Sequence, residues 1–452
     1  MMDYVNPLGE DKVSKLLVRF SVPAIVGMMV NALYNIVDRI YIGNSPDLGA
    51  YGIAGITIAF PIMIILMAMG VLFGIGGATL FSIKLGQKKY EDAEKTIGNA
   101  FTLLLLGGLV FMILGQLFLT QILTLFGASS EVLPYASQYM RIIFFGSMFQ
   151  VVSMGMNNFI RADGNPKIAM VSMFIGAGVN TILDPIFIYG FKMGMAGAAI
   201  ATITSQALSS IWIITYFLSK RSKNKLRLSN MKLNRKVVKT ITSFGLPACV
   251  LQIANSLLNV VLNKTLINYG GDLAISAMGI VNSLQTILVM PVIGINQGVQ
   301  PIISFNFGAK KYDRVKEAAK LAIFACTLLV SLGYLATRFI PNQMVGLFNR
   351  DPELLKFGSF ALSRWFLLTP LIGFQIIGAN FFQAIGKPRS AMLLTLSRQI
   401  IFLIPSILIF PMVWGLEGIL YAAPFADFLS TVLTAFFFFN GMKNLEKKAA
   451  VI

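Results

Sequence analysis

Apolar residues run in stretches of about twenty along the whole chain, broken by short polar and basic connections. A stretch that long crosses the hydrocarbon core of a bilayer, about 30 Å thick. Twelve such spans are predicted, at roughly 16–42, 52–82, 96–118, 134–157, 168–190, 194–219, 240–267, 274–303, 317–338, 358–382, 390–411 and 415–441. The predicted fold class is an all-α polytopic membrane protein of twelve helices. Pro23, Pro61, Pro185, Pro247, Pro291 and Pro405 lie inside apolar runs, where neighbouring helices can satisfy the backbone groups they free.

The pattern repeats. FSVPAIVGMMVNALYNIV, from Phe20, aligns with FGLPACVLQIANSLLNVV, from Phe244, placing Asn31 on Asn255 and Asn35 on Asn259. LGQKKYEDAEK aligns with FGAKKYDRVKE, GNPKIAM with GKPRSAM, and GMAG with GLEG. Collinear matches this far apart mark an internal duplication. Each half holds an even number of spans, so both insert the same way, related by a pseudo-two-fold axis along the membrane normal. The expected organisation is a six-helix bundle over 1–219, a basic linker over 220–239 and a second six-helix bundle over 240–452.

Composition agrees. Of the 452 residues, 56% are hydrophobic and 12% charged, half the usual charge of a soluble domain, about 25%. The net charge of +18 is a matter of topology. The tails and even-numbered loops hold 28 of the 37 Lys and Arg, nine of them between Lys220 and Lys239, where no acid occurs. The odd-numbered loops hold three: Lys192, Arg338 and Arg350. This asymmetry predicts that both termini and the linker are cytoplasmic. It also favours contact with anionic lipid, and the partner expected from it is the bilayer, not nucleic acid. The N-terminal stretch lacks a cleavable signal-peptide pattern. Histidine is absent, and the two cysteines, Cys249 and Cys326, lie in apolar runs. No Walker loop, metal-ligand cluster or nucleophile with an adjacent base is present, so no enzyme activity and no cofactor is expected.

Three acids lie well inside spans: Asp38, Asp184 and Asp427. Carboxylates at that depth are costly and mark ion pathways or buried pairs. Asn31, Asn35 and Asp38 follow i, i+4, i+7 and share a helix face, as do Gly176, Asn180 and Asp184. At 1.5 Å per residue, Asp38, Asp184 and Thr202 fall at similar depth in the outer leaflet. Asp38, Asn180, Asp184 and Thr202 are hard oxygen donors suited to H⁺ or Na⁺. In the second half Leu262 stands opposite Asp38, and the polar groups are Asn255 and Asn259. Asp427 is expected to pair with Arg398 at compatible depth. Met63, Met67 and Met290, with Asn31, Asn35, Asn255 and Asn259, are candidates for lining a substrate cavity, methionine being adaptable to apolar ligands.

The opening FSVPAIVGMMVNALYNIVDRIYIG, the loop LGQKKYEDAEK and the stretch VNTILDPIFIYGFKMGMAGAAIATITSQ resemble the multidrug and toxic compound extrusion (MATE) family over essentially the whole chain. The NxxxDPxxIxG element resembles its DinF-like branch, which includes MepA-type exporters. The resemblance implies two six-helix bundles and secondary efflux antiport by alternating access. Organic, mainly cationic and amphipathic compounds would leave as H⁺ and/or Na⁺ enters, across a bacterial-type plasma membrane, in a protein working as a monomer. It also implies a cation site at Asp38, Asn180, Asp184 and Thr202. The acidic site that another branch carries in its second bundle has no match here. A flippase for lipid-linked saccharide precursors, a related activity, is the alternative. It would want several buried arginines around its cavity, and few basic residues are buried here.

Overall fold

The computed structural model describes residues 6–45, 48–348 and 351–449, which are helical apart from short connections. The main helices are α1 (Val13–Gly43), α2 (Gly49–Gly86), α3 (Tyr90–Leu117), α4 (Leu133–Ala162), α5 (Pro166–Pro185) and α6 (Gly194–Leu218). Then come α7 (Arg235–Gly308), α8 (Tyr312–Phe339), α9 (Pro352–Trp365), α10 (Pro370–Ala384), α11 (Pro388–Leu396) and α12 (Ile404–Ala449). Among the described residues, nine helical stretches are long and apolar enough to cross a membrane, or ten if the bent pair α9 and α10 counts as one. Arg350 lies outside the described residues.

The two longest helices explain how twelve predicted spans sit in fewer stretches. At 74 residues, α7 would be about 110 Å long if straight, several times a bilayer core. It is interrupted at Gly271 (φ 61°, ψ −157°), and α12 at Gly415 (φ 57°, ψ −143°). Both are left-handed conformations open to glycine and strained for other residues. They fall where spans 7 and 8, and spans 11 and 12, were expected to part. Span 10 is broken between α9 and α10 with a 48° bend. Single π-helical turns at Ile186–Gly190 and Ser397–Leu403 follow α5 and α11. Periodicity does not reveal such turns, which occur often at functional positions.

The chain forms two compact units, one of Met1–Leu8 with Val26–Cys249, the other of Gly9–Ile25 with Val250–Ile452. Each unit thus contains the opening turns of the other half's first span. Duplicated close approaches hold these turns. In the first unit a Cβ at Gly76 would lie 2.1 Å from the Ile241 carbonyl oxygen, and one at Gly245 would overlap the Leu72 carbonyl. In the second, a Cβ at Gly298 would lie 2.7 Å from the Ser21 nitrogen, and one at Gly294 2.7 Å from Ile25 Cα. Gly294 and Gly298 align with Leu72 and Gly76. Small residues let membrane helices meet backbone to backbone.

The basic linker is folded onto the first unit. Asn99 Nδ2 donates to the carbonyls of Asn230 and Lys232, and its Oδ1 accepts from Asn234 N at 2.7 Å. Asp163, buried between α4 and α5, accepts from Tyr216, Ser222 and Asn224. Burial raises the Asp163 carboxyl above the usual carboxylate range, and these three donors oppose that shift.

Candidate functional site: a buried carboxylate pocket in the first unit

α5 and α6 pack against each other, and α4 packs against α2, α3 and α6. Between them lies Asp184, fully buried, with Asn180 and Thr202 also buried. Asn180 Nδ2 donates to Asp184 Oδ1 at 3.2 Å and reaches Thr202 Oγ1 at 3.5 Å, while Thr202 Oγ1 donates to its own helix at Ala198 O. The spacing of Asn180 and Asp184 is one helical turn, so their contact follows from sequence. Thr202 meets them because the π turn at Ile186–Gly190 and a short connection bring α6 back beside α5.

Asp38 on α1 is buried next to the same point, its carboxyl within hydrogen-bonding reach of that of Asp184. The Tyr189 hydroxyl in the π turn donates to the Tyr41 carbonyl at 2.6 Å, tying the end of α1 that carries Asp38 to the turn after Asp184. All four expected cation residues therefore gather in one unit.

Two buried oxygens of the pocket, Asp184 Oδ2 and Asn180 Oδ1, accept no hydrogen bond. An unsatisfied buried acceptor costs about 1–3 kcal/mol, and two side by side suit a cation that comes and goes. Asp184 forms no ion pair among the described residues. Arg39, a basic residue near Asp38 in sequence, has its side chain outside them.

Sequence reasoning missed Tyr139. It is buried on α4, its hydroxyl adjacent to Thr202 and within electrostatic range of Asp38 and Asp184. A tyrosine in an apolar span looks like packing material, and only the α4–α6 contact gives it a polar partner.

The candidate cavity residues divide between the units. Asn31 on α1 and Met63 and Met67 on α2 are half-buried in the first; the side chain of Asn35 lies outside the described residues. Met290 on α7 is half-buried in the second, where Asn255 Oδ1 accepts from Gln399 at 3.1 Å. Asn259 is exposed and donates to its own helix at Asn255 O. The expected pair of Arg398 and Asp427 is present, 2.6 Å apart.

The MatE family model matches residues 23–186 and 247–408, one copy for each half of the duplication. The chain belongs to the MatE family. It is 30% identical over 417 residues to the multidrug export protein MepA of Staphylococcus aureus (strain MSSA476), covering 92% of this chain and 91% of that protein. MepA of Staphylococcus haemolyticus (strain JCSC1435) is 28% identical over 98% of this chain and 97% of its own. Among solved structures, the MATE multidrug transporter DinF-BH, solved as a ligand complex, matches with a TM-score of 0.89 and 38% identity, covering 97% of both chains. A MATE structure in a bent conformation matches with a TM-score of 0.92 at 24% identity over 98% of each chain, a likeness of fold.

Proposed function

We propose that this chain is a secondary multidrug exporter, expelling organic, mainly cationic and amphipathic compounds in exchange for H⁺ and/or Na⁺. The observation that carries the reading is the pair of unsatisfied buried oxygens at Asp184 and Asn180, beside Asp38 and without a bonded basic group among the described residues. Membership of the MatE family and similarity to multidrug exporters support the efflux part.

The pocket can present a shared proton between two carboxyls, or ionised oxygens with Asn180 and Thr202 to Na⁺. A shared proton draws together α1 and α5, and Na⁺ draws in α6 as well, because its ligands come from all three. A ligand shifts a conformational equilibrium only through unequal affinity for the two states. An ion that favours the gathered arrangement therefore drives the change that releases drug. Pro185 and the π turn after it, immediately next to Asp184, support a yielding point there. Similarity to MepA supports a bacterial-type plasma membrane, and the Lys and Arg asymmetry supports cytoplasmic termini and linker.

The test is transport in proteoliposomes under separately imposed Na⁺ and pH gradients. Export of fluorescent organic cations should follow at least one gradient. Drug movement indifferent to both would overturn the coupling.

A further inference from the structure

The second unit holds the one ion pair among the described residues in which both side chains are buried. Arg398 Nε donates to Asp427 Oδ1 at 2.6 Å, with the side chains 10% and 1% exposed. Arg398 is the second residue of the π turn Ser397–Leu403, and Asp427 lies on α12 beyond the break at Gly415. The duplication gives these positions meaning. GNPKIAM on GKPRSAM is a shift of 222, which sets Arg398 opposite Gly176; GMAG on GLEG is a shift of 221, which sets Asp427 opposite Gln206. Gly176 is one helical turn before Asn180, and Gln206 one turn after Thr202. The pair thus occupies, between the last two spans of the second half, nearly the place where the first half keeps its cation pocket. In the first half the acid has an amide and a hydroxyl for company; in the second it has a guanidinium.

The pair is not built as a brace. Asp427 Oδ2 is buried and accepts nothing, and the bond to Asp427 is the only hydrogen bond Arg398 makes among the described residues. Beside the pair is a small cavity, lined also by Gln285, Trp365 and Thr369. Trp365 Nε1 donates to Gln285 Oε1 at 3.0 Å, so those two are engaged with each other. Arg398 and Asp427 are the only charged residues lining the cavity among the described residues. The nearby Arg364 on α9 lies over the rings of Phe360 and Tyr421, 5.1 and 5.9 Å from their centroids. A buried pair with spare polar atoms often does no more for stability than well-packed apolar residues of the same volume, so what Arg398 supplies here is charge.

We propose that Arg398 is a tethered counter-cation. Its guanidinium fills permanently, in the second half, the kind of carboxylate site that the first half leaves open to a mobile ion. Ion exchange is thereby confined to the first unit, a consequence that rests on the reading of the Asp184 pocket as the exchangeable site. With the guanidinium gone, Asp427 must take a proton or a small monovalent cation from solution, in a cavity enlarged by the missing side chain.

The test uses full-length purified wild type, Arg398→Met, Arg398→Met/Asp427→Asn and, separately, Asp184→Asn. Melting temperature is followed against pH and against Na⁺ and Li⁺, and the cation-to-drug ratio is measured in proteoliposomes. Arg398→Met should gain several degrees on acidification or on adding Na⁺ or Li⁺, and should take up more cations per drug than wild type. The double variant should show neither effect. A folded Arg398→Met protein with no added response to pH or cation would overturn the proposal. So would one that fails to fold under every ionic condition, since no mobile cation then replaces the guanidinium. Instability of the double variant would do the same, by assigning Arg398 to packing. Asp184→Asn decides the reading of the first unit by itself: active transport retained there removes that exchangeable site, whatever the melting of Arg398→Met shows.

Discussion

Replacing Asp184 by asparagine changes one carboxyl oxygen for an amide nitrogen and leaves a group that can neither take up nor release charge. The variant keeps the shape and burial of the pocket, so it should insert and fold, yet lose ion-driven export in proteoliposomes. Export against a gradient by a stable Asp184→Asn protein would remove the residue from the coupling step. Tyr139→Phe tests an outer member of the same pocket. Loss of one supporting partner at a metal site typically weakens affinity about 10–100-fold, so the ion concentration for half-maximal transport should rise by about tenfold, with little change in expression. These two residues also show how far the sequence reaches. Asp184 and Asn180 are legible because one helical turn separates them and both interrupt an apolar run. Tyr139 is not, because nothing in its own span distinguishes it from core aromatics. Asp163 escapes for the opposite reason: a loop aspartate reads as solvated, and only the folded linker buries it.

Elements bring those residues together, and two of their junctions can be tested. The opening turns of α7 cross α2 at Gly76 and Gly245, where backbone touches backbone. Gly245→Val would force the helices apart, at a cost of about 1–3 kcal/mol for overpacking, read as a lower melting temperature in detergent. The linker junction responds to pH. Because burial raises the folded-state value of Asp163 above its unfolded one, its contribution to stability is full at pH values below the unfolded carboxylate range. It is lost as pH rises through the raised value. Melting curves of wild type against Asp163→Asn, collected from acidic to neutral pH, should therefore converge or cross as pH rises, with the wild type relatively favoured in acid. A constant offset would mean that Asp163 does not titrate in this range. Helix positions were legible from twenty-residue apolar runs, and Gly271 and Gly415 break the chain where the runs end. The π turns and the bend between α9 and α10 were not, because they alter hydrogen bonding within a run without changing its hydrophobicity.

At the scale of the whole molecule, the duplication gives two copies of one plan different partners for their buried acids. Both halves bury an acid between their last two spans, and among the described residues only the first leaves it without a bonded base. The orientation proposed for this plan in the membrane rests on 28 of 37 basic residues lying in the tails and even-numbered loops, and it can be tested at a single labelled site. The reporter must be chosen from the folded linker. Ser222 lies in the most basic stretch, but its hydroxyl is buried against Asp163 and Asn224, so a cysteine there would stay silent from either side. Ser229, in the short turn Leu228–Met231, is exposed, and the native Cys249 and Cys326 are buried. A membrane-impermeant maleimide should leave Ser229→Cys untouched in intact cells and modify it once the membrane is opened. Labelling in intact cells would place the linker outside and reverse the orientation drawn from charge. The direction of ion flow proposed for the Asp184 pocket would then have to be reversed with it.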